Sequence, residues 1–311
     1  MRAVFPDWQV SRWIMWKAAG IYNSGVAYPD SVQESPTVAE NGIGILSSSG
    51  GSAAPLDVTT KESAMDAKTT GSHMISIEAK PEPISIDTAR TAALVVDMQN
   101  DFCAKGGMFD RAGIDISVSQ AAIGPTARAL AAIRQAGISV IYLKMGFRSD
   151  LSDLGPPDSP NRIKHLPLAV GTTVTDPNGR ESRILIRDTW NTDILDELKP
   201  QPGDTILYKP RYSGFYETDL DSILKGYGVK WLIVTGATTC VCVDSTIRDA
   251  MFRDYTCLLL EDCTGEPIGH QSSRTNHEAA LLTIQTLFGW VSTSAELIRA
   301  LRTRDGGARE K

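Results

Sequence analysis

The chain has 311 residues, of which 42% are hydrophobic and 22% are charged, and its formal net charge is −6. This composition is typical of a globular protein with a solvated surface, and it lacks the basic excess that nucleic-acid-binding proteins usually show. No stretch approaches the roughly 20 consecutive apolar residues needed to span a bilayer. We therefore expect no nucleic-acid or membrane partner, and the charge fits a small-molecule partner or a protein partner equally well.

The cysteines and histidines argue against disulfides and against a metal site. The five cysteines are Cys103, Cys240, Cys242, Cys257 and Cys263. An odd, low count in a chain of this length indicates free thiols in a reducing compartment, so we expect a cytoplasmic protein. The four histidines never form a close pair, which weakens the case for zinc or iron, and we predict no metal and no cofactor.

The chain divides near residue 86. Residues 31–72 are rich in Ser, Gly, Thr, Ala and Pro and cannot bury enough apolar surface to offset the entropy lost on ordering. We therefore predict that residues 1–86 form a disordered or weakly structured extension. Residues 87–303 are predicted to form one domain, and residues 304–311 a flexible tail.

The first residues give little support for a targeting sequence. They lack an uninterrupted apolar run followed by small residues, so we expect no secretory signal. Asp7 and the scarcity of arginine argue against a mitochondrial presequence. Met74 could be an alternative start of translation, and the role of the extension stays open at this point.

Beyond the extension, short apolar runs alternate with helical stretches. In chain order, the predicted elements are a strand at 94–96, a helix from Ile123 to Gly137, strands at 140–143 and 205–208, a helix from Thr218 with Asp221 in a capping-box-like position, a strand at 231–234, a helix from about Cys242, a strand at 256–260 and a helix through Leu287. Continuous apolar strands between amphipathic helices indicate βαβ units and a parallel sheet buried on both faces. We therefore predict an α/β three-layer sandwich with a mostly parallel, roughly six-stranded, Rossmann-like sheet.

Three reactive side chains follow three of these strands, namely Asp97, Lys209 and Cys242. Sites in open α/β sheets lie outside the carboxyl ends of the strands, so we expect the three to converge. Each also has a structural alternative. A strand-end aspartate often caps a turn, a lysine is often solvated, and a cysteine can be a small buried hydrophobic residue. Their coincidence at three strand ends favours a catalytic cluster.

Cys242 is the expected nucleophile, because it heads a predicted helix. A helix N-terminus and a nearby lysine both lower a thiol pKa, and the thiolate is the reactive form. Asp97 is then suited to take the thiol proton and pass it to a leaving nitrogen. The pair of Cys240 and Cys242 could instead be half of a metal site or a redox pair. However, no second pair has ligand spacing, and redox pairs usually read C-x-x-C.

Longer motifs around these residues resemble those of the isochorismatase-like cysteine hydrolase superfamily. The resemblance covers about residues 88–302 and rests on three segments, ALVVDMQNDF at 93–102, KPRYSGF at 209–215 and GATTCVCV at 236–243. Within the superfamily, the chain resembles most the ureidoacrylate amidohydrolases of pyrimidine breakdown, and next the biuret hydrolases.

The resemblance implies a catalytic triad of Asp97, Lys209 and Cys242. It also implies a cis peptide bond between Ala237 and Thr238, with the backbone N–H groups of Thr238 and Cys242 forming an oxyanion hole. The implied activity is cysteine-dependent cleavage of a C–N bond in a small ureido or amide substrate, through a covalent thioacyl-type intermediate, by a homodimer or homotetramer. The expected substrate contacts are Gln99, Phe102, Phe147, Tyr212 and Ser213.

Two departures from the family pattern qualify this interpretation. Metal-binding nicotinamidases carry an Asp-x-His motif where residues 144–148 have no histidine, which supports the prediction of no metal. Cys240 replaces the more usual Asp or Asn, and its role stays open.

Three interpretations of the function remain. A ureidoacrylate-like substrate is favoured, and biuret or another N-carbamoyl compound is the alternative substrate. A non-catalytic binding or scaffold module with a remnant triad is the alternative of another class, against which the intact Asp, Lys and Cys argue.

Overall fold

The computed structural model describes residues 73–307, with side chains described for residues 73–304. Most of the predicted extension, including every residue on which the targeting question rests, lies outside the described range. All five cysteines are free thiols. Among the described residues, no helix combines the length and apolar character that a membrane crossing requires.

Ten strands and nine α-helices form the described part of the chain. The strands are β1 (Met74–Ile77), β2 (Ile84–Asp87), β3 (Thr91–Val96), β4 (Ser139–Met145), β5 (Thr173–Thr175), β6 (Glu181–Arg183), β7 (Thr205–Lys209), β8 (Trp231–Ala237), β9 (Thr256–Gly265) and β10 (Trp290–Ser292). The helices are α1 (Asn100–Cys103), α2 (Met108–Arg111), α3 (Ser117–Ala121), α4 (Ile123–Gln135), α5 (Pro160–His165), α6 (Leu220–Gly226), α7 (Asp244–Met251), α8 (Asn276–Thr283) and α9 (Ser294–Gly307).

A six-stranded sheet lies at the centre, in the order β10-β9-β8-β3-β4-β7, and all of its strand pairs are parallel. Every residue of β3 is buried, as expected for a strand covered on both faces. Alternate side chains face two cores. Val95 packs in one core with Ile133 of α4 and Leu297 of α9, and Leu94 packs in the other with Ile247 of α7. The predicted three-layer α/β fold with about six strands is confirmed.

Strands β1 and β2 form an antiparallel hairpin that precedes the predicted domain boundary. Four isoleucine side chains of this hairpin point inward, are at most 6% exposed and join the core beside α9. These residues are Ile75, Ile77, Ile84 and Ile86. The prediction that residues 74–86 belong to a weakly structured extension was therefore wrong. The Ile-x-Ile alternation in each strand is the sequence signal that identifies them.

Helix ends differ from the predictions at two places. Helix α6 begins at Leu220, and its N-cap, Asp219, makes no side-chain capping hydrogen bond, so the capping box expected from Thr218 does not form. Helix α9 runs to Gly307, so the tail predicted from residue 304 begins inside this helix.

A buried carboxylate, Asp101 of α1, ties this helix to the start of α2 and to the segment between β6 and β7. Its Oδ1 accepts hydrogen bonds from the Met108 backbone N–H at 2.9 Å and from the Asn191 side chain. Its Oδ2 accepts from the Leu185 backbone N–H at 2.7 Å. Burial raises the pKa of Asp101 to about 7, against the lowering effect of these donors. The carboxyl group thereby makes the core next to the sheet edge sensitive to pH.

The strand order creates a crevice between β3 and β8. The chain moves from β3 through β4 to β7, and then returns to β8 on the other side of β3. Connections that leave neighbouring strands in opposite directions open a crevice at their carboxyl ends, where ligands bind in such sheets. Asp97 follows β3, Lys209 ends β7, and the segment that contains Cys242 follows β8.

Candidate active site

Asp97 is the first residue after β3 and is completely buried. Its φ of 51° lies in the left-handed region, which non-glycine residues adopt rarely and mostly where their surroundings enforce it, often at functional sites. The Asp97 N–H donates to the Leu143 carbonyl at 2.8 Å. Its side-chain Oδ1 accepts from the Met145 N–H, also at 2.8 Å. The end of β4 therefore fixes both the backbone and the carboxylate of Asp97.

Lys209 reaches Asp97 across β4. It pairs with Met145 in the sheet, and its Nζ lies 2.8 Å from Asp97 Oδ2 in an ion pair whose side chains are 0% and 1% exposed. Nζ also donates to the Arg211 carbonyl at 3.2 Å and to Met145 Sδ at 3.6 Å. Burial alone would lower the pKa of Lys209, but Asp97 and Cys242 outweigh it and raise the pKa above its usual value. The charged ammonium form of Lys209 is therefore favoured.

Cys242 lies within a helical segment rather than at its exposed end. A π-helical turn, Thr239–Val243, follows β8 and continues into α7. The Cys242 side chain is buried, and both Asp97 and Lys209 act on the pKa of its thiol. The structure therefore brings the three predicted catalytic residues together in one cluster.

The electrostatics of this cluster differ from the prediction. Burial and then the charge of Asp97 raise the pKa of the Cys242 thiol, against the lowering effect of Lys209. Burial likewise raises the pKa of Asp97. The expectation of a lowered thiol pKa was wrong, because it considered the helix and the lysine but neither complete burial nor the adjacent carboxylate. Both shifts favour the protonated form of each group.

The end of β8 depends on a glycine. Gly236 has a φ of 127°, and a Cβ atom at this position would lie 2.0 Å from the Val96 carbonyl oxygen. Only glycine allows this approach of β8 to β3 at the crevice. The next peptide bond, between Ala237 and Thr238, is cis. The Thr238 carbonyl then accepts from the Val243 N–H at 3.2 Å, so Thr238 and Cys242 belong to the same turn.

Glu266 is a site residue that the sequence analysis missed. It directly follows β9 and is 2% exposed. Its Oε2 accepts from the Cys240 N–H at 2.9 Å, and its Oε1 from the Ile268 N–H at 3.0 Å. Burial and then Glu266 raise the pKa of the Cys240 thiol. Cys240 thus belongs to the contact between the π-helical turn and β9, and its thiol is held in the neutral form.

An aromatic row leads from the core to the surface beside the cluster. Phe147 is completely buried, and its ring centroid lies 5.4 Å from that of His165. His165 lies 5.6 Å from Tyr212, which is 39% exposed. Burial and then Cys242 raise the pKa of Tyr212. His165 was passed over in the sequence because it has no neighbouring histidine.

The other expected substrate contacts have structural partners. Phe102 packs edge-on against Phe109 at 5.0 Å. Ser213 Oγ accepts from the Phe215 N–H at 3.1 Å. The Gln99 side chain is buried and bonds to the Met145 backbone at both of its polar atoms.

Comparisons with known proteins identify the family of this chain. A family model described as the isochorismatase domain matches residues 91–296. The ureidoacrylate amidohydrolase RutB of Methylorubrum extorquens is 43% identical over 228 residues, which cover 73% of this chain and 89% of that protein. RutB of Azorhizobium caulinodans is 42% identical over 225 residues, which cover 72% of this chain and 96% of that protein.

Solved structures show the same relationship. A cysteine hydrolase from Pseudomonas syringae pv. phaseolicola superposes with a TM-score of 0.59 at 33% identity, covering 70% of this chain and 95% of the other. An isochorismatase-like hydrolase from Alkaliphilus metalliredigens superposes with a TM-score of 0.51 at 25% identity, covering 68% and 98%. The range matched by the family model contains Asp97, Lys209 and Cys242, and the chain is a member of the isochorismatase family of hydrolases.

Proposed function

We propose that this hydrolase cleaves a C–N bond of a small ureido substrate with Cys242 as the nucleophile. The observation that carries the proposal is the single buried cluster of Asp97, Lys209 and Cys242 at the carboxyl ends of three strands. A ureidoacrylate-like substrate is favoured, because proteins named ureidoacrylate amidohydrolase are 42–43% identical over most of both chains.

In the first stage, Asp97 removes the thiol proton as Cys242 Sγ attacks the carbonyl carbon of the ureido group. An S–C bond forms, and the carbonyl electron pair moves to oxygen. The backbone N–H groups of Thr238 and Cys242 donate to this oxyanion, and one such donor typically contributes about 2.7–4 kcal/mol to transition-state stabilisation. The C–N bond then breaks as Asp97 returns the proton to the departing nitrogen.

In the second stage, water attacks the thioacyl carbon. Asp97 takes a proton from the water, the C–S bond breaks, and the proton returns to Sγ. Lys209 remains charged throughout and stabilises whichever of Asp97 and Cys242 carries the negative charge. Each stage therefore uses the same proton-accepting carboxylate, and the cycle ends with the thiol restored.

Of the expected substrate contacts, Tyr212 is the one whose side chain is partly exposed, and we infer that it meets the substrate. Its ring is suited to cover a planar ureido group while its hydroxyl stays in contact with solvent. Contacts of Phe102, Phe147 and Ser213 with substrate stay predictions, as does assembly into a homodimer or homotetramer.

Ammonia release from ureidoacrylate, biuret, N-carbamoylsarcosine and nicotinamide tests the proposal. Wild type should act on at least one N-carbamoyl compound, and Cys242→Ala should be slower by at least about 10³-fold, as expected when a nucleophile is lost. Cys257→Ala is the matched control, because Cys257 is a buried thiol of β9 for which burial alone raises the pKa. This control should retain activity.

The covalent step has its own readout. Acid quenching during turnover, followed by intact-protein mass measurement, should show wild type carrying one acyl group from the substrate, and Cys242→Ala carrying none. If wild type and Cys242→Ala are equally inert on every amide, the non-catalytic interpretation is correct. If biuret is the best substrate, the ureidoacrylate assignment is wrong and the reaction class is retained.

A further inference from the structure

We infer that Gln99 is a positioning residue for the Asp97 and Lys209 pair, acting through Met145, rather than the substrate contact that the sequence suggested. The inference rests on the proposed function, because it assigns a role within the same site. It depends on the hydrogen bonds that hold the backbone of Met145, the last residue of β4.

The side-chain amide of Gln99 forms hydrogen bonds with both the N–H and the carbonyl of Met145, and we call these two bonds the Gln99 bracket. Gln99 Nε2 donates to the Met145 carbonyl at 2.8 Å, and Gln99 Oε1 accepts from the Met145 N–H at 2.9 Å. Gln99 is 0% exposed, so the amide has exchanged water for these two bonds. A substrate that displaced either bond would leave a buried backbone group unpaired, which is unfavourable.

Met145 contacts both members of the ion pair. Its N–H, shared with Gln99, donates to Asp97 Oδ1 at 2.8 Å. Its Sδ accepts from Lys209 Nζ at 3.6 Å. A displacement of Met145 would therefore move the carboxylate and the ammonium at the same time.

The Gln99 bracket lies at the carboxyl end of β4. Met145 is the last residue of β4, and the following residue, Gly146, makes a longer bond of 3.3 Å to the Lys209 carbonyl. Gln99 is placed for this role by a tight turn, in which its own N–H donates to the Asp97 carbonyl at 2.8 Å. The Asp-x-Gln spacing therefore places Asp97, the proposed base, and Gln99 at the same end of β3.

The test separates a positioning role from substrate contact by using a reagent that has no ureido group. The pH dependence of Cys242 alkylation by iodoacetamide should be measured for wild type and Gln99→Met, which keeps the side-chain length and loses both hydrogen bonds. Gln120→Met is the matched control, because Gln120 is an exposed glutamine that donates to the Cys103 carbonyl. The Gln99 variant should show a shifted alkylation profile, and the control should match wild type.

Steady-state kinetics on ureidoacrylate and biuret give the second readout. For Gln99→Met, kcat should fall by about 10- to 100-fold on both substrates with little change in KM, the size expected when reacting groups are misplaced by an ångström. An unchanged alkylation profile, or a raised KM on one substrate with kcat retained, would overturn the inference.

A second variant guards against loss of folding. Met145→Leu keeps the Gln99 bracket and removes only the thioether acceptor of Lys209, so it should also shift the alkylation profile while urea unfolding stays cooperative. A wild-type profile for this variant would likewise count against the inference. Alkylation does not require amide hydrolysis, so inactivity of wild type on all amides would refute the proposed function without deciding the role of Gln99.

Discussion

Replacing Lys209 by methionine tests how the buried ion pair holds the site together. The substitution keeps a long unbranched side chain and removes the charge. Asp97 then keeps its bond from the Met145 N–H but loses its counter-ion. Because both side chains are at most 1% exposed, water cannot replace the ammonium.

The distance between the two charges sets the size of the stability loss expected for Lys209→Met. At 2.8 Å, and with an effective dielectric constant of about 20, the pair attraction is roughly 6 kcal/mol. Part of this offsets the desolvation of both groups, and breaking one member of a buried pair typically costs about 3–5 kcal/mol. We expect a loss of that size in the free energy of unfolding near neutral pH.

The sign of the pH dependence follows from Asp97. Burial already raises its pKa in the intact site, and removal of Lys209 raises it further. A carboxyl group whose folded pKa is raised contributes stability that is present at low pH and is lost as the pH rises through the folded pKa. The deficit of Lys209→Met should therefore shrink on acidification and grow on going to neutral pH.

Urea unfolding of three variants gives the assay. Lys144→Met is the matched control, since Lys144 is a mostly buried lysine of β4 whose ion pair with the exposed Asp193 is 3.9 Å long and should contribute at most about 1 kcal/mol. Lys209→Met/Asp97→Asn removes both charges and should be more stable than Lys209→Met, although inactive. The reasoning is refuted if Lys209→Met loses no more stability than the control, or if the double variant is the less stable.

Three further changes have clear expected outcomes. Gly236→Ala should lower the free energy of unfolding in urea by more than about 4 kcal/mol or leave the protein insoluble, because the new Cβ would lie 2.0 Å from the Val96 carbonyl oxygen. The control is Gly113→Ala, which has open space around it and should cost about 1 kcal/mol. In Asp101→Asn the amide mimics the protonated carboxyl. The stability of wild type relative to this variant should fall by up to roughly 4 kcal/mol between about pH 4 and pH 8, because the folded pKa of about 7 exceeds the ordinary 3.8. A relative stability that does not change over this range would show a carboxylate ionised throughout. Ile86→Ala should cost about 2–5 kcal/mol in thermal or urea unfolding if β2 is part of the core, and a loss below about 0.5 kcal/mol would restore the boundary predicted at residue 86.

The sequence predicts the central sheet well because a strand covered on both faces needs an uninterrupted apolar run. Such runs mark β3 and β8 directly, and the topology rule for parallel sheets then brings Asp97, Lys209 and Cys242 to one edge. An apolar run does not mark the end of a strand that continues through polar residues. Strand β9 runs past Glu261 to Gly265, which hid Glu266 as a strand-end residue.

Other features depend on tertiary contacts that a periodic pattern cannot reveal. Gln99 was expected to contact the substrate, but the register of β4 places the Met145 backbone against it. The hairpin of β1 and β2 was overlooked because two runs of four residues give little periodic signal next to a long polar segment. In both cases, packing against a distant element decides the role.

The charge state of the buried cluster restricts how the proposed reaction can proceed. In the proposed mechanism, Lys209 carries one positive charge at rest, and Asp97 and Cys242 share one proton, so the cluster is neutral overall. A preformed thiolate beside an ionised Asp97 would leave one uncompensated negative charge in a site where all three side chains are buried, which is strongly unfavourable. Transfer of the thiol proton to Asp97 therefore has to accompany attack, and the negative charge moves directly onto the substrate oxygen. In the proposed mechanism, the backbone N–H groups of Thr238 and Cys242 therefore supply the stabilisation, and a low thiol pKa is not required. A cysteine with this role can then lie inside a helical turn instead of at its exposed end.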